Sequence, residues 1–316
     1  MKDIPKEPIT IVVPVKNRAT LVLRTLNSIK AQTWRPLKLI VVDNGSTDGT
    51  SESVQNWIEK NKEEEFEVIL ENEPSPGAAR ARNKGLEATD TRLIMFFDSD
   101  DTMNPLHVET IMRRFHAGDN PDLVFFRVHY HGINDSDKIT CRPSGDNMIA
   151  HICHGLLRTQ GYACETALAR RAGAWDEDLP VWNDLEFGSR ILMEARKRVY
   201  IPDVNVEVFA QVESITGTEF SSRKGQWEKA LDKMALNFEK SRHKDREKWL
   251  RVLAYKRTIL AAMYWREKNH EVANDLFDKA LDDPSLNSLQ RIYLKLAFNY
   301  TGLGGRGTAV LVNLIF

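Results

Sequence analysis

The sequence predicts an α/β fold: a doubly wound, mostly parallel sheet with helices on both faces, followed by an all-helical C-terminal extension. Three observations carry this. The first hundred residues alternate short β-branched runs with amphipathic stretches, the links between them are short, and from about Gly225 strand signals give way to Lys/Glu-rich helical periodicity. Strand–helix alternation with short links means βαβ units, which build a parallel sheet covered on both sides.

ITIVVPV (9–15) is apolar without alternation, the profile of a strand buried on both faces. RATLVLRTLNSIKAQT then places Leu21, Leu23, Leu26 and Ile29 at spacings that give a helix an apolar stripe. LKLIVVD (37–43) is a second buried strand, SVQNWIEKNKEEE (53–65) a second helix and FEVILEN (66–72) a third strand. A helix through ARARNKGLEAT (79–89) leads to the fourth strand, RLIMFFD (92–98), and PDLVFFRVHYHG (121–132) reads as a further strand. In the tail, HEVANDLFDKALDDPS (270–285) resembles the second helix and exit proline of a tetratricopeptide-type hairpin. One such unit is not an array, since repeat folds need about three to bury a face. The last run, AVLVNLIF (309–316), is too short to span a bilayer and leaves three roles open: packing on the helices, lying on a membrane, or meeting a partner. The expected division is residues 1–222 for the sheet domain and 223–316 for the helical extension.

Composition excludes several classes. Lys plus Arg number 44 against 45 Asp plus Glu in 316 residues, so no global basic field points to nucleic acid. Cys141, Cys153 and Cys164 are odd in number and form no CxxC, which fits a reducing compartment and not a disulfide framework. MKDIPKEP lacks the apolar segment of a signal peptide, and no run reaches the roughly 18 apolar residues of a spanning helix. The expectation is a cytoplasmic protein, with peripheral contact to a membrane or protein left to the C-terminal helices. No GxGxxG follows any strand, which argues against a dinucleotide-binding dehydrogenase.

In an open parallel sheet, ligands bind outside the carboxyl ends of the strands, where the strand order reverses. Those ends are rich in functional groups here. Strand one runs through Pro14 into Lys16, Asn17 and Arg18; strand two ends at Asp43 and opens DNGSTDGT; strand three is followed by EPSPGAARARN; strand four ends in DSDD, residues 98–101. Each has a plain reading. DNGSTDGT can be a turn with Ser46, Thr47 or Asp48 capping a helix, GAARARN a helix start with solvated Arg80 and Arg82, and DSDD an Asx turn. Yet three carboxylates within four positions repel one another, and none has a Lys or Arg beside it in sequence. A positive group is needed there.

The segments VVPVKNR, LIVVDNGSTDGT, GAARARNKG, FFDSDD and GAWDEDLPVWNDLEFGSRIL, in that order across residues 8 to 217, resemble family 2 glycosyltransferases of the GT-A type. The resemblance implies an inverting transferase that uses a UDP-sugar donor, a carbohydrate or lipid-linked acceptor, and Mn2+ or Mg2+ under the diphosphate. It implies Asp98 toward the ribose, Ser99 among the donor-binding residues, Asp100 on the metal, and Asp101 as a helix-capping neighbour. Asp43 resembles the acid that reads uracil, on a floor shaped by Pro14, Asn17 and Arg18, with Arg82 (or Arg80) reaching the nucleotide. Asp184, in Trp182-Asn183-Asp184-Leu185-Glu186, resembles the catalytic base. Two positions depart from the family pattern: Asn183 stands for one acid of a pair, and Gln211 stands where a metal-binding His precedes Ser-Ile-Thr, leaving Glu213 as a substitute. Two other readings bear on these residues. A sugar nucleotidyltransferase would carry a glycine-rich loop at PVKNRAT, which has no glycine; a catalytically weak binding module in a polysaccharide-assembly complex would account for Asn183 and Gln211.

Overall fold

Ile9–Val15 (β1) is buried at every residue, which is why its sequence shows no alternation. The chain continues through α1 (Leu21–Lys30), β2 (Leu37–Asp43), α2 (Thr50–Lys60), β3 (Phe66–Asn72), α3 (Ala78–Glu87) and β4 (Leu93–Phe96). Then follow β5 (Thr102–Met103), α4 (His107–Phe115), β6 (Leu123–His131), β7 (Lys138–Ile139), α5 (Asn147–His154), β8 (Tyr162–Glu165), α6 (Thr166–Arg171), α7 (Asn183–Glu194) and β9 (Arg198–Phe209). The tail holds α8 (Gln226–Lys240), α9 (Arg246–Arg266), α10 (His270–Leu281), α11 (Ser288–Gly302) and α12 (Val312–Ile315). The computed structural model describes residues 4–132, 137–140, 142–143, 145–210 and 219–316.

Among the described residues the strand order is β3-β2-β1-β4-β8-β6-β9-β5, with β7 on β6. The pairs β1–β2, β2–β3 and β1–β4 are parallel, as the βαβ rhythm predicts. Beyond β4 the sheet is mixed: β8 runs antiparallel to β4 and β6, while β9 is parallel to β6. Helices still separate the strands past residue 98, so the alternation alone does not set their direction: β8 enters between β4 and β6 antiparallel to both. One face of β1, β2 and β4 (Ile9, Ile11, Val13, Leu39, Met95) packs with Val22, Leu26 and Ile29 of α1, with α2 and with α4. The α1 stripe is centred on Val22, Thr25, Leu26 and Ile29, one step from the expected Leu21 and Leu23, which are half-buried. The opposite face takes α3, where Gly85 lies so close to Val12 that an added Cβ would sit 2.3 Å from Val12 Cγ1.

By contacts the chain divides into two compact units: residues 1–142, 157–180 and 193–212 form one, and 143–156, 181–192 and 213–316 the other. This differs from a single boundary at 222/223. In the second unit α5, α8, α10 and α11 pack on α9, whose buried residues, from Trp249 to Tyr264, lie on several of its sides because it is central. Two segments that precede the tail, 143–156 and 181–192, are tied into it. His151 Nε2 pairs with Leu185 O at 2.8 Å, Asn237 Nδ2 donates to Glu186 Oε1 at 2.8 Å, and Trp249 Nε1 reaches Asp146 Oδ2 at 3.4 Å. α9 and α10 are consecutive helices joined by residues 267–269. The C-terminal run packs on the helices through Val312, which is fully buried, and through a Gln290 Nε2 hydrogen bond to Ile315 O. Among the described residues no helix is long and apolar enough to cross a membrane.

Candidate functional site

β1 lies between β2 and β4, so the strand order reverses at its carboxyl end. There the register aligns Val15 with Asp43 and Asp43 with Asn72. Two loops are clasped at this point. The Asn17 N–H donates to Ser46 Oγ at 2.9 Å, and Asn17 Oδ1 accepts the Thr47 N–H at 2.8 Å. Arg18 N–H donates to Thr50 Oγ1 at 2.8 Å, and Asp48 accepts from Ala19 and Thr50 backbone N–H groups. Asn17 is held at φ +50°, a conformation that asparagine tolerates better than most residues. Asp48 thus takes the N–H of Thr50, the first residue of α2, although the N-cap position is Gly49 and carries no side-chain cap. Asp43 contributes too: buried, it accepts the Ser46 N–H at 3.0 Å on one oxygen and the Ser51 hydroxyl on the other. A carboxylate offers about four acceptor sites, so both bonds leave capacity for a base edge. Pro14 sits beneath, within β1.

The DSDD carboxylates find their counter-charge from distant parts of the chain. Arg82 Nη2 lies 2.8 Å from Asp98 Oδ1, and Arg18 Nη1 lies 3.0 Å from Asp100 Oδ2. Arg82, not Arg80, is beside Asp98; Arg80 pairs at the surface with Glu177 at 2.7 Å. Three residues absent from the sequence expectation fix this arrangement. Trp175 stacks under the Arg82 guanidinium at 4.5 Å and meets Phe96 edge-on at 5.2 Å. Asn83 holds Trp175 by its N–H (2.8 Å) and its carbonyl (2.9 Å). Gln160 Nε2 donates to Asp98 Oδ2 at 2.8 Å and to Asp101 Oδ2. Asn83 and Trp175 both lie in motif segments, whereas Gln160 carries no sequence signal. Asn44 is a fourth, buried and bonded to Glu73 O, Ser75 O and the Gly77 N–H.

Asp101 does not cap a helix: α4 starts at His107 behind Leu106, and Asp101 instead accepts the Phe209 N–H at 3.0 Å. It is 1% exposed, so β9 is tied to the acidic loop through a buried carboxylate. Burial first, then Asp98 and Asp100, push the Asp101 carboxyl well above its ordinary range. Asp100 is raised by burial and by Asp98, against the pull of Arg18. Ser99 is buried between them. Carboxylate oxygens are hard donors of the kind that Mg2+ and Mn2+ take, and Asp100 is the residue expected to hold such an ion.

In the second unit Asp184 lies in the first turn of α7, half-buried. The residue before that helix, Trp182, is held at φ +50°, which strains a bulky side chain. Its ring meets Phe220 and Trp227, with the Lys256 ammonium 5.0 Å above it. Glu186 is committed elsewhere: 1% exposed, it forms a two-pronged pair with Arg190, both distances 2.7 Å, and accepts from Asn237. Gln211 and Glu213 lie outside the described residues.

The profile described as "Glycosyl transferase family 2" matches residues 10–172, just over half of the chain. Among curated proteins, glycosyltransferase GlyG of Streptococcus pneumoniae is 26% identical over 169 residues, 54% of this chain and 52% of its own length. Glycosyltransferase AglE of Haloferax volcanii is 33% identical over 94 residues, 29% of this chain and 30% of its own. The chain thus spans about half or less of these relatives. Among solved structures, S. aureus TarS 1–349 superposes with a TM-score of 0.69 at 15% identity over 97% of this chain and 91% of that one. Its complex with UDP-GlcNAc gives 0.68 at 16% identity, covering 97% of this chain and 92% of that one. The mannosyltransferase PcManGT of Pyrobaculum calidifontis, in complex with GDP-Man and Mn2+, gives 0.59 at 17% identity, covering 95% and 88%. At these identities the likeness is one of fold.

Proposed function

Because the chain belongs to glycosyl transferase family 2, we propose that it is an inverting transferase that moves a sugar from a UDP-sugar to an acceptor hydroxyl in surface polysaccharide or glycolipid synthesis. The observation that carries this reading is the Asp98–Asp100–Asp101 group at the β1/β4 switch point, faced by Arg82 and Arg18. A Mn2+ or Mg2+ ion held by Asp100 would neutralise the diphosphate as it leaves, with Asp98 on the ribose side. Arg18 and Arg82, already placed beside the acidic loop, present guanidinium forks suited to phosphate or ribose oxygens. Asp43 accepts from the uracil N3–H. Asp184 takes the proton of the attacking acceptor hydroxyl, a role that Glu186 cannot take over while bound to Arg190 and Asn237. The strained Trp182 backbone beside it supports a functional assignment.

The test separates donor binding from chemistry. Asp100→Asn should weaken Mn2+-dependent UDP binding in calorimetry. Asp184→Asn should leave UDP binding unchanged and lower transfer by about 10²–10⁴-fold, the usual contribution of a positioned base. Full turnover in Asp184→Asn would refute the base assignment, and metal-independent UDP affinity equal in Asp100→Asn and wild type would refute the metal site. Peripheral membrane contact we assign to α11, whose outward face is apolar.

A further inference from the structure

The geometry points to a second divalent-metal site, outside the acidic loop, formed by His129 Nε2, His131 Nδ1 and Asp137 Oδ2, for a borderline first-row ion such as Zn2+. Among the described residues these three side chains form a cluster whose ligand atoms all lie within 4.8 Å of one another. His131 Nδ1 is 3.0 Å and His129 Nε2 3.8 Å from Asp137 Oδ2. Around a tetrahedral Zn2+ with bonds near 2 Å, donor atoms stand roughly 3.3 Å apart, so only small adjustments are required. Imidazole nitrogens with one carboxylate are a borderline-metal set, unlike the all-oxygen DSDD loop.

The other nitrogens of both rings meet a single carboxylate on the opposite side. Glu207 Oε2 is 2.9 Å from His129 Nδ1 and is also hydrogen-bonded to His131 Nε2 at 2.5 Å. If both rings donate these N–H groups to Glu207, each presents a lone pair to the Asp137 side. A lone pair facing a carboxylate is repulsive unless a cation lies between them. That cation is either a proton or a metal. A carboxylate behind a ligating imidazole is the usual device for fixing its tautomer. The backbone supports the pair: His129 is in register with Glu207 across β6 and β9, and the His131 ring stacks on Phe209 at 4.8 Å. All four side chains are between 30% and 48% exposed, leaving a fourth coordination position to water.

The experiment uses the full chain, stripped with chelator and titrated with Zn2+ by calorimetry in the absence of nucleotide. One saturable equivalent is expected in wild type and in Asp100→Asn. It should be lost in His129→Ala/His131→Ala, with Mn2+-dependent UDP binding retained as evidence of fold. Glu207→Gln should keep the ligands and weaken Zn2+ binding by about 10–100-fold. No saturable Zn2+ in wild type would mean that the cluster holds only a proton and would overturn the proposal. So would loss of the equivalent in Asp100→Asn, which would place the ion in the acidic loop, or its persistence in the double histidine variant. Unchanged affinity in Glu207→Gln would overturn the orienting role of that carboxylate. The proposal stands or falls independently of the transferase reading.

Discussion

At the scale of single residues, the candidate site combines groups whose fold-building and functional roles coincide. Asp43 closes the turn after β2 through the Ser46 N–H, and it is also the acid assigned to uracil. The two roles can be separated by Asp43→Asn, which keeps an oxygen for the Ser46 N–H but removes the charge. We expect the variant to fold, and its preference for UDP over GDP and ADP to shrink by roughly ten- to a hundredfold, the worth of one charged hydrogen bond at about 1.5–3 kcal/mol. Calorimetry on wild type with all three diphosphates is the check, and equal affinities would rule the assignment out. Arg82 has likewise been fixed before any ligand arrives, by Trp175 below it and Asp98 beside it. Its side chain has lost its rotamer freedom in advance, so ordering it costs binding little.

Among the elements, α3 and α11 pose opposite problems. α3 approaches β1 so closely at Gly85 that any side chain must push it away, since Val12 is rigid and buried. Gly85→Ala should cost about 1–3 kcal/mol by overpacking, read as a lowered urea midpoint. An unchanged midpoint would mean that the helix can lift from the strand without loss. On α11, Leu289, Ile292, Leu296, Tyr300 and Leu303 recur at three- and four-residue steps and are 53% to 90% exposed. The opposite face of the helix, with Tyr293, Leu294 and Ala297, is buried. Residues 288–316 hold Arg291, Lys295 and Arg306 and no Asp or Glu. An apolar stripe on a segment whose own charged residues are all cations complements an anionic lipid surface. Flotation with phosphatidylserine-containing vesicles should recover the chain, neutral vesicles should recover less, and Leu296→Glu/Leu303→Glu should abolish the difference. Equal recovery by both vesicle types would remove the electrostatic argument.

For the whole molecule, the two units do not follow chain order. Residues 143–156 and 181–192 belong with the tail, where Ile149, Ile152 and Leu185 are buried. A chain ending at Arg223 would keep α5 and α7 but lose α8 and α9, stripping their apolar faces of cover. We expect such a chain to bind hydrophobic dye and aggregate. A monodisperse product that retains UDP affinity would show that the first unit is stable without the tail.

The sequence by itself determined the βαβ half, because strands buried on both faces must be continuously apolar and their connections short. It also determined which loops are chemically unusual, since clustered carboxylates and turn residues at strand ends are local features of the chain. Only the tertiary structure decided the partners. Gln160 meets Asp98 across 62 positions, and Phe209 meets Asp101 across 108. Arg80 and Arg82, two residues apart on one helix, face different surroundings. Periodicity reports local backbone conformation and which face is buried. Which side chains then meet depends on strand order, and the antiparallel insertion of β8 between β4 and β6, with no periodic signature of its own, set that order.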